Sequence, residues 1–133
     1  MRAGVLFVSP HSEDADRLSQ ILGPVPVELD HVADLEHARR RLRQEPYPVI
    51  LTDADLPDGA WSDVLDLTQR VSPSSRVIVT TRLADARLWI DALGRGVFDL
   101  LTQPFYPKEV CRILANARAR QSHEGHDLSL WAS

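Results

Sequence analysis

Several features of other protein classes are absent from this chain of 133 residues. It has one cysteine, Cys111, so no internal disulfide can form, and the composition suits a reducing compartment. No apolar run approaches the ~18 residues that cross a bilayer, and no long apolar segment precedes a cleavage site. The net charge of -4 argues against a broad basic surface for nucleic acid. We expect a cytoplasmic domain that neither enters a membrane nor binds nucleic acid directly.

The common signatures of enzymes on open α/β sheets are also absent. No glycine-rich phosphate loop follows the first apolar run, no Gly-x-Ser-x-Gly elbow occurs, and the cysteine has no suitable histidine partner. We therefore expect that the chain is not an enzyme. Its main basic cluster has two interpretations, a solvated helix face balanced by nearby acids, which we favour, or a partner-docking surface. That cluster comprises Arg39, Arg40, Arg41 and Arg43.

Short apolar runs alternate with segments of helical spacing along the chain. The runs at 5–8, 27–29, 49–51, 77–79 and 98–101 predict five strands, several without polar alternation and so covered on both faces. The segments between and after them predict five helices, the first capped by Ser12. In the fourth helix we expect Ala86, Ile90 and Leu93 to face the core, which leaves Leu88 and Trp89 off that stripe as a candidate interaction face. Trp89 is then either an exposed aromatic anchor for a partner or packed at the edge of the core.

This alternation predicts a single α/β domain at 1–120, a doubly wound five-stranded parallel sheet with five helices. Residues 121–133 are expected to be a C-terminal tail or the start of a linker. Ligands of such sheets bind beyond the carboxyl ends of the strands, so the residues that follow each strand are the candidate site. These residues are Ser9, Pro10, Asp53, Thr80, Thr81, Gln103 and Pro104.

Two segments carry a resemblance to a known family. Residues 49–59 read Val-Ile-Leu-Thr-Asp-Ala-Asp-Leu-Pro-Asp-Gly, and residues 96–105 read Gly-Val-Phe-Asp-Leu-Leu-Thr-Gln-Pro-Phe. With Thr81 at the end of the fourth strand, they closely resemble the receiver domains of response regulators, the CheY-like family. The resemblance implies a flavodoxin-like strand order of 2-1-3-4-5. It also implies that Asp53 is a candidate phosphoacceptor and that the Gln103-Pro104 bond is cis.

The sequence departs from the family where the phosphorylation chemistry is usually supported. Ser9 and Pro10 occupy the positions of the acidic pair that helps to hold Mg²⁺, and neither brings a carboxylate. Gln103 occupies the position of the phosphoryl-binding lysine and brings no charge. Leu100 occupies the position of the switching aromatic, where it can pack but cannot switch between polar and apolar surroundings.

Neighbouring charged residues leave alternatives open. Arg82, which follows Thr81, either forms an ion pair with Asp53 or points to solvent, and we favour solvent. Glu13 and Asp14 are expected to face water in the first turn of the first helix rather than to replace the lost acids. His11 either donates to Asp53 or is simply exposed.

The resemblance implies a signal-transduction module, and the departures favour a pseudo-receiver that acts through protein contacts without Mg²⁺-dependent phosphorylation. Its expected partner is another protein, a fused output domain, or a second copy bound through the face of the fourth helix, fifth strand and fifth helix. The alternative is a working receiver phosphorylated on Asp53 by a histidine kinase. We expect no cofactor, and Mg²⁺ only if this alternative holds.

Overall fold

Strands and helices alternate along the residues that the computed structural model describes, 4–83 and 85–122. The strands are β1 (Gly4–Val8), β2 (Glu28–Val32), β3 (Val49–Asp53), β4 (Asp55–Leu56), β5 (Gly59–Ala60), β6 (Arg76–Thr81) and β7 (Asp99–Thr102). The helices are α1 (Ser12–Leu22), α2 (Leu35–Gln44), α3 (Trp61–Val71), α4 (Ala86–Arg95) and α5 (Pro107–Ser122). The final helix extends past residue 120, and 123–133 of the predicted tail lie outside the described residues.

The main sheet has five strands in the order β2-β1-β3-β6-β7, and each neighbouring pair is parallel. Strands β4 and β5 form a separate antiparallel hairpin in the loop after β3. When the sheet strands alone are counted, the order is the predicted 2-1-3-4-5. The predicted fold class is therefore confirmed.

Each face of the sheet carries its own hydrophobic core. Leu6, Val8 and Ile50 belong to one cluster, which α2, α3 and α4 cover. Phe7 and Leu51 belong to the other, which α1 and α5 cover. Successive strand residues point to opposite faces, so a run buried on both faces shows no polar alternation. Burying each such side chain stabilises the fold by ~1.5–3 kcal/mol.

Two local predictions near the start of the chain are wrong. Strand β2 is Glu28–Val32 rather than 27–29, and only Val32 in it is buried, as suits a strand at the edge of the sheet. Helix α1 begins at Ser12, so His11 rather than Ser12 occupies its N-cap position. The Ser9 hydroxyl accepts a hydrogen bond from the His11 amide at 3.1 Å. The helix thus begins one residue earlier than predicted, at Ser12 itself.

The predicted buried face of α4 is also wrong, and of the two alternatives for Trp89 the structure has packing at the edge of the core. Leu88 and Trp89 pack against the core beside buried Ala92, whereas Ile90 is 74% exposed and Leu93 is 43% exposed. Both sets of residues have helical spacing, so periodicity alone could not choose between them. The larger indole is the group that is covered, and the outward apolar side chains of this helix are Ile90 and Leu93.

Helix α2 carries the basic cluster, and its charges are largely paired. Glu36 lies 2.7 Å from Arg39 and 3.3 Å from Arg40, and Asp30 lies 3.3 Å from Arg41. This pairing agrees with the favoured interpretation of a helix face balanced by acids. No helix in the described part of the chain is long and apolar enough to cross a membrane.

Two carboxylates from different parts of the chain bind the amino end of α2. Asp34, the N-cap residue, accepts a hydrogen bond from the His37 amide at 2.8 Å. Asp58, in the loop between β4 and β5, accepts from the amides of Leu35 and Glu36 at 2.9 and 3.1 Å. The first amides of a helix have no partner within it, so these bonds stabilise its first turn. They also tie the loop after β3 to α2.

Candidate functional site

The carboxyl ends of neighbouring strands bring the predicted site residues together. Asp53 at the end of β3 pairs with Thr80 in β6, one residue before Thr81. The Gln103 amide donates to the Thr81 carbonyl at 2.8 Å, which joins the residue after β7 to the end of β6. Ser9 follows β1, the neighbour of β3. These residues therefore lie together at the carboxyl ends of the strands, where the sequence predicted the candidate site.

Asp53 is a mostly buried carboxylate whose side chain is 15% exposed. Its Oδ2 accepts from the Ser9 hydroxyl at 3.4 Å and lies 3.7 Å from His11 Nε2. Burial raises the pKa of Asp53, and the nearby His11 and the backbone N–H groups of Ala54 and Asp55 partly oppose that rise. The imidazole is beyond hydrogen-bonding distance, but in its protonated form it is an electrostatic partner of Asp53.

Ser9 is held by a histidine that the sequence did not single out. Ser9 is fully buried, and its carbonyl lies 2.8 Å from His31 Nε2. The His31 ring also packs on Phe7, with centroids 5.8 Å apart. Only the register of β1 with β2, which places Phe7 opposite His31, reveals this contact. The serine at the position of the acidic pair is thus a fixed part of the site.

Thr81 uses its hydroxyl within its own loop. The Oγ1 atom accepts from the Leu83 amide at 3.2 Å and donates to the Leu83 carbonyl at 3.3 Å. A hydroxyl has one proton to donate, and here it is directed to the loop. The side chain would have to leave this turn to donate to a group on Asp53.

The two remaining family positions have clear structural roles. Gln103 is half-buried, and the Gln103-Pro104 bond is cis, as the resemblance implied. Leu100 is 3% exposed and belongs to the core cluster beneath α2, α3 and α4. Its predicted packing role is confirmed.

Arg82 does not pair with Asp53. Its NH2 group donates to both carboxylate oxygens of Asp14, at 2.8 and 3.0 Å, and its side chain remains 52% exposed. The ion pair predicted as one alternative is therefore wrong, and the solvent-facing alternative holds only in part. The expectation that Asp14 faces water is wrong, because its side chain is 12% exposed and is turned toward Arg82. The two residues are 68 positions apart, so no local sequence pattern could reveal the pair.

Comparison with known proteins identifies the family. The response regulator receiver domain family matches residues 5–115. The chain belongs to this family.

One relative is the response regulator protein PilR of Pseudomonas aeruginosa, 28% identical over 126 residues. The alignment covers 95% of this chain and 28% of PilR, so the chain spans just over a quarter of that protein's length. The similarity therefore concerns one part of a longer regulator.

Solved receiver domains share the fold. The signal receiver domain of an HD domain-containing protein from Pseudomonas fluorescens Pf-5 is 26% identical, with a TM-score of 0.85 over 92% of this chain and 91% of that chain. The beryllofluoride-activated NtrC4 receiver domain dimer is also 26% identical, with a TM-score of 0.84 over 90% of this chain and 98% of that one. The receiver domain of a putative LuxO repressor protein from Vibrio parahaemolyticus is 24% identical, with a TM-score of 0.88 over 94% and 96% of the two chains, and supports the fold alone.

Proposed function

We propose that this receiver domain is a pseudo-receiver, an interaction module that works without Mg²⁺-dependent phosphorylation of Asp53. The observation that carries the proposal is the set of side chains around that carboxylate. Ser9 and His11 approach Asp53, and neither Ser9 nor Pro10, at the positions of the family's acidic pair, brings a carboxylate. The partner on this proposal is another protein, an output domain or a second copy of the chain.

The donor set around Asp53 does not suit Mg²⁺. This ion prefers octahedral oxygen ligands and is usually held by carboxylates together with substrate oxygens and water. A serine hydroxyl and an imidazole bring no anionic oxygen, and a protonated His11 would repel the cation. Within 4–83 and 85–122, no group of three or more His, Cys, Asp or Glu side chains is arranged to hold a metal ion.

The groups that would bind a phosphoryl group are equally poorly suited. The transferred group carries three charged oxygens, which receivers neutralise with positive charge and directed donors. Gln103 is uncharged, and the Thr81 hydroxyl is engaged by Leu83. Buried Leu100 has no polar atom that could follow a change at Asp53. A phosphoryl group on Asp53 would find few partners and no aromatic switch.

The alternative is a working phosphoacceptor supplied by a histidine kinase. Its support is the side chain of Asp53 itself, which stands at the end of β3 with a histidine 3.7 Å away. A protonated His11 could supply part of the charge that Mg²⁺ and lysine normally provide. This function would require phosphorylation to proceed with that charge alone.

Intact-mass measurement after incubation with acetyl phosphate and Mg²⁺ separates the two functions. We expect no phosphoryl adduct on the wild-type chain. The triple variant Ser9→Asp, Pro10→Asp, Gln103→Lys restores the missing charges and should form an adduct that disappears when Asp53→Asn is added. A wild-type adduct that is lost in the Asp53→Asn variant would support the working receiver and reject our proposal.

The surface offered to a partner is apolar around α4. Leu83, Ile90 and Tyr106 are 75%, 74% and 62% exposed, and Leu93 is 43% exposed. Ile90 and Leu93 are three positions apart on α4 and so share one face of that helix, and exposed apolar surface of this kind commonly marks a site of protein association. We assign the contact surface to Ile90 and Leu93 instead of Leu88 and Trp89, which pack on the core. The related NtrC4 receiver domain was solved as a dimer, and a second copy of this chain is the partner that we test.

A further inference from the structure

A separate pocket lies beside the Asp53 site, on the side that faces α1. Its volume is about 420 Å³, which falls within the range of small-molecule sites. Neither Asp53 nor Thr81 belongs to its lining in the described part of the chain. The lining residues are Asp14, Arg17, Arg82, Gln103, Pro104 and Phe105.

Arginine side chains reach this pocket from two elements and use little of their capacity to donate. One nitrogen of Arg82 donates to the Asp14 carboxylate, and one nitrogen of Arg17 donates to the Phe105 carbonyl at 3.3 Å. A guanidinium has five N–H groups, so both retain donors that have no partner among the described residues. Each arginine is thus anchored at one nitrogen while the rest of its fork stays available.

The remaining lining residues add an amide and an apolar wall. The side-chain amide of Gln103 has no hydrogen-bond partner in residues 4–83 and 85–122 and is half-buried. Pro104 provides exposed apolar surface next to it, whereas Phe105, which also lines the pocket, is only 3% exposed. Among the described residues that line the pocket, one carboxylate, Asp14, stands against two guanidiniums, so these lining residues carry a net positive charge.

We propose that this pocket binds a small organic phosphate, with its phosphate between Arg17 and Arg82 and its apolar body against Pro104. A planar carboxylate is satisfied by one guanidinium fork, whereas a tetrahedral phosphate has oxygens for two forks and for an amide donor. The bound phosphate competes with Asp14 for Arg82. The site is distinct from Asp53 and requires no phosphoryl transfer.

Phenyl phosphate is a suitable probe, because it combines the proposed anion with an apolar ring. Isothermal titration calorimetry in a buffer with EDTA should give saturable binding of one phenyl phosphate per chain. Inorganic phosphate should bind more weakly, and benzyl alcohol, which lacks the anion, should not bind measurably. Asp53→Asn should leave the affinity for phenyl phosphate unchanged, so the result does not depend on whether Asp53 is a phosphoacceptor.

We predict that substitutions in the pocket change the affinity for phenyl phosphate in opposite directions. Arg17→Gln and Arg82→Gln should each weaken binding about tenfold, because each removes a charged donor. Asp14→Asn should tighten binding severalfold, because it removes the carboxylate that competes for Arg82. If the Asp14–Arg82 pair served only to stabilise the fold, Asp14→Asn would weaken binding or leave it unchanged.

Gln103→Glu provides a test that leaves the Asp14–Arg82 pair intact. It places a negative charge in the pocket and should abolish binding of phenyl phosphate. Arg87→Gln, on the exposed surface of α4, is the matched control for the two arginine variants of the pocket. Far-ultraviolet circular dichroism should show that each variant is folded. The proposal is rejected if phenyl phosphate does not saturate the wild-type chain, if Asp14→Asn weakens binding or leaves it unchanged, or if Arg87→Gln weakens it as much as the pocket variants do.

Discussion

At the scale of single residues, Asp53 is a carboxylate in surroundings that disfavour its charged form. Its carboxylate is largely removed from water, and the groups nearest to it are a hydroxyl, an exposed imidazole and two backbone amides. Burial raises the pKa of Asp53, so the native state binds this proton more tightly than the unfolded chain does. Ionised Asp53 therefore destabilises the fold once the pH rises through its folded pKa.

We predict that Asp53→Asn stabilises the protein at neutral pH by about 1 kcal/mol, the scale of a single partly buried substitution. The gain should shrink as the pH falls through the folded pKa of Asp53, because the wild-type carboxyl is then also neutral. Urea unfolding at several values from about pH 7 to about pH 4 would measure the difference. The exposed Asp66 gives a control for the loss of one carboxylate, since Asp66→Asn should change the stability at neutral pH less than Asp53→Asn does. A loss of stability at neutral pH would mean that the carboxylate organises the surrounding loops.

At the scale of secondary-structure elements, a buried tyrosine links the edge strand β2 to α2. The Tyr47 side chain is 1% exposed, and its hydroxyl donates to Asp30 and accepts from Arg41 at 3.3 Å. Burial and the bond to Asp30 raise the pKa of Tyr47 to about 12. The stabilising effect of this proton is complete below the ordinary tyrosine pKa of ~10 and is lost as the pH rises through 12.

We predict that Tyr47→Phe lowers the free energy of unfolding by about 1–2 kcal/mol at neutral pH, because Asp30 and Arg41 lose a buried hydrogen-bond partner. It should also remove the tyrosine titration step near pH 12 that ultraviolet difference spectroscopy would detect in the wild-type chain. The matched control is Tyr106→Phe, since Tyr106 is 62% exposed. If both variants were equally stable, the link between β2 and α2 would contribute little.

At the scale of the whole molecule, association should depend on the outer surface of α4. Replacement of Ile90, which is 74% exposed, by Asp should weaken any dimer at least tenfold, because it places a charge in an apolar contact. Analytical ultracentrifugation over a concentration series would measure this. Val71→Asp on α3, where Val71 is 41% exposed, controls for a general effect of added charge. A wild-type chain that stays monomeric at all concentrations, or an equal effect of both variants, would rule out this dimer surface.

The fold was largely predictable from the sequence, because each buried strand is a short apolar run and parallel strands require intervening helices. The positions of Ser9, Asp53, Thr81 and Gln103 at one edge of the sheet followed from the same pattern. Contacts between distant side chains were not predictable. The Asp14–Arg82 pair depends on how α1 approaches the loop after β6, and no local pattern encodes that approach.

The prediction of which face of α4 is buried failed for a different reason. Leu88, Trp89 and Ala92 fit one helical stripe, and Ile90 and Leu93 fit another that is equally regular. A short helix with apolar residues on both sides does not specify which side is buried. The choice depends on the shape of the core beneath it, where the larger indole packs.

The bonds from Asp58 to the amino end of α2 also bear on the order in which the chain acquires its structure. Asp58 is 23 positions later than Leu35, so it leaves the ribosome after all of α2 has been synthesised. Until then, Asp34 is the carboxylate available to the first amides of that helix. The first turn of α2 therefore becomes fully capped only after the chain has been synthesised through β3 as far as Asp58.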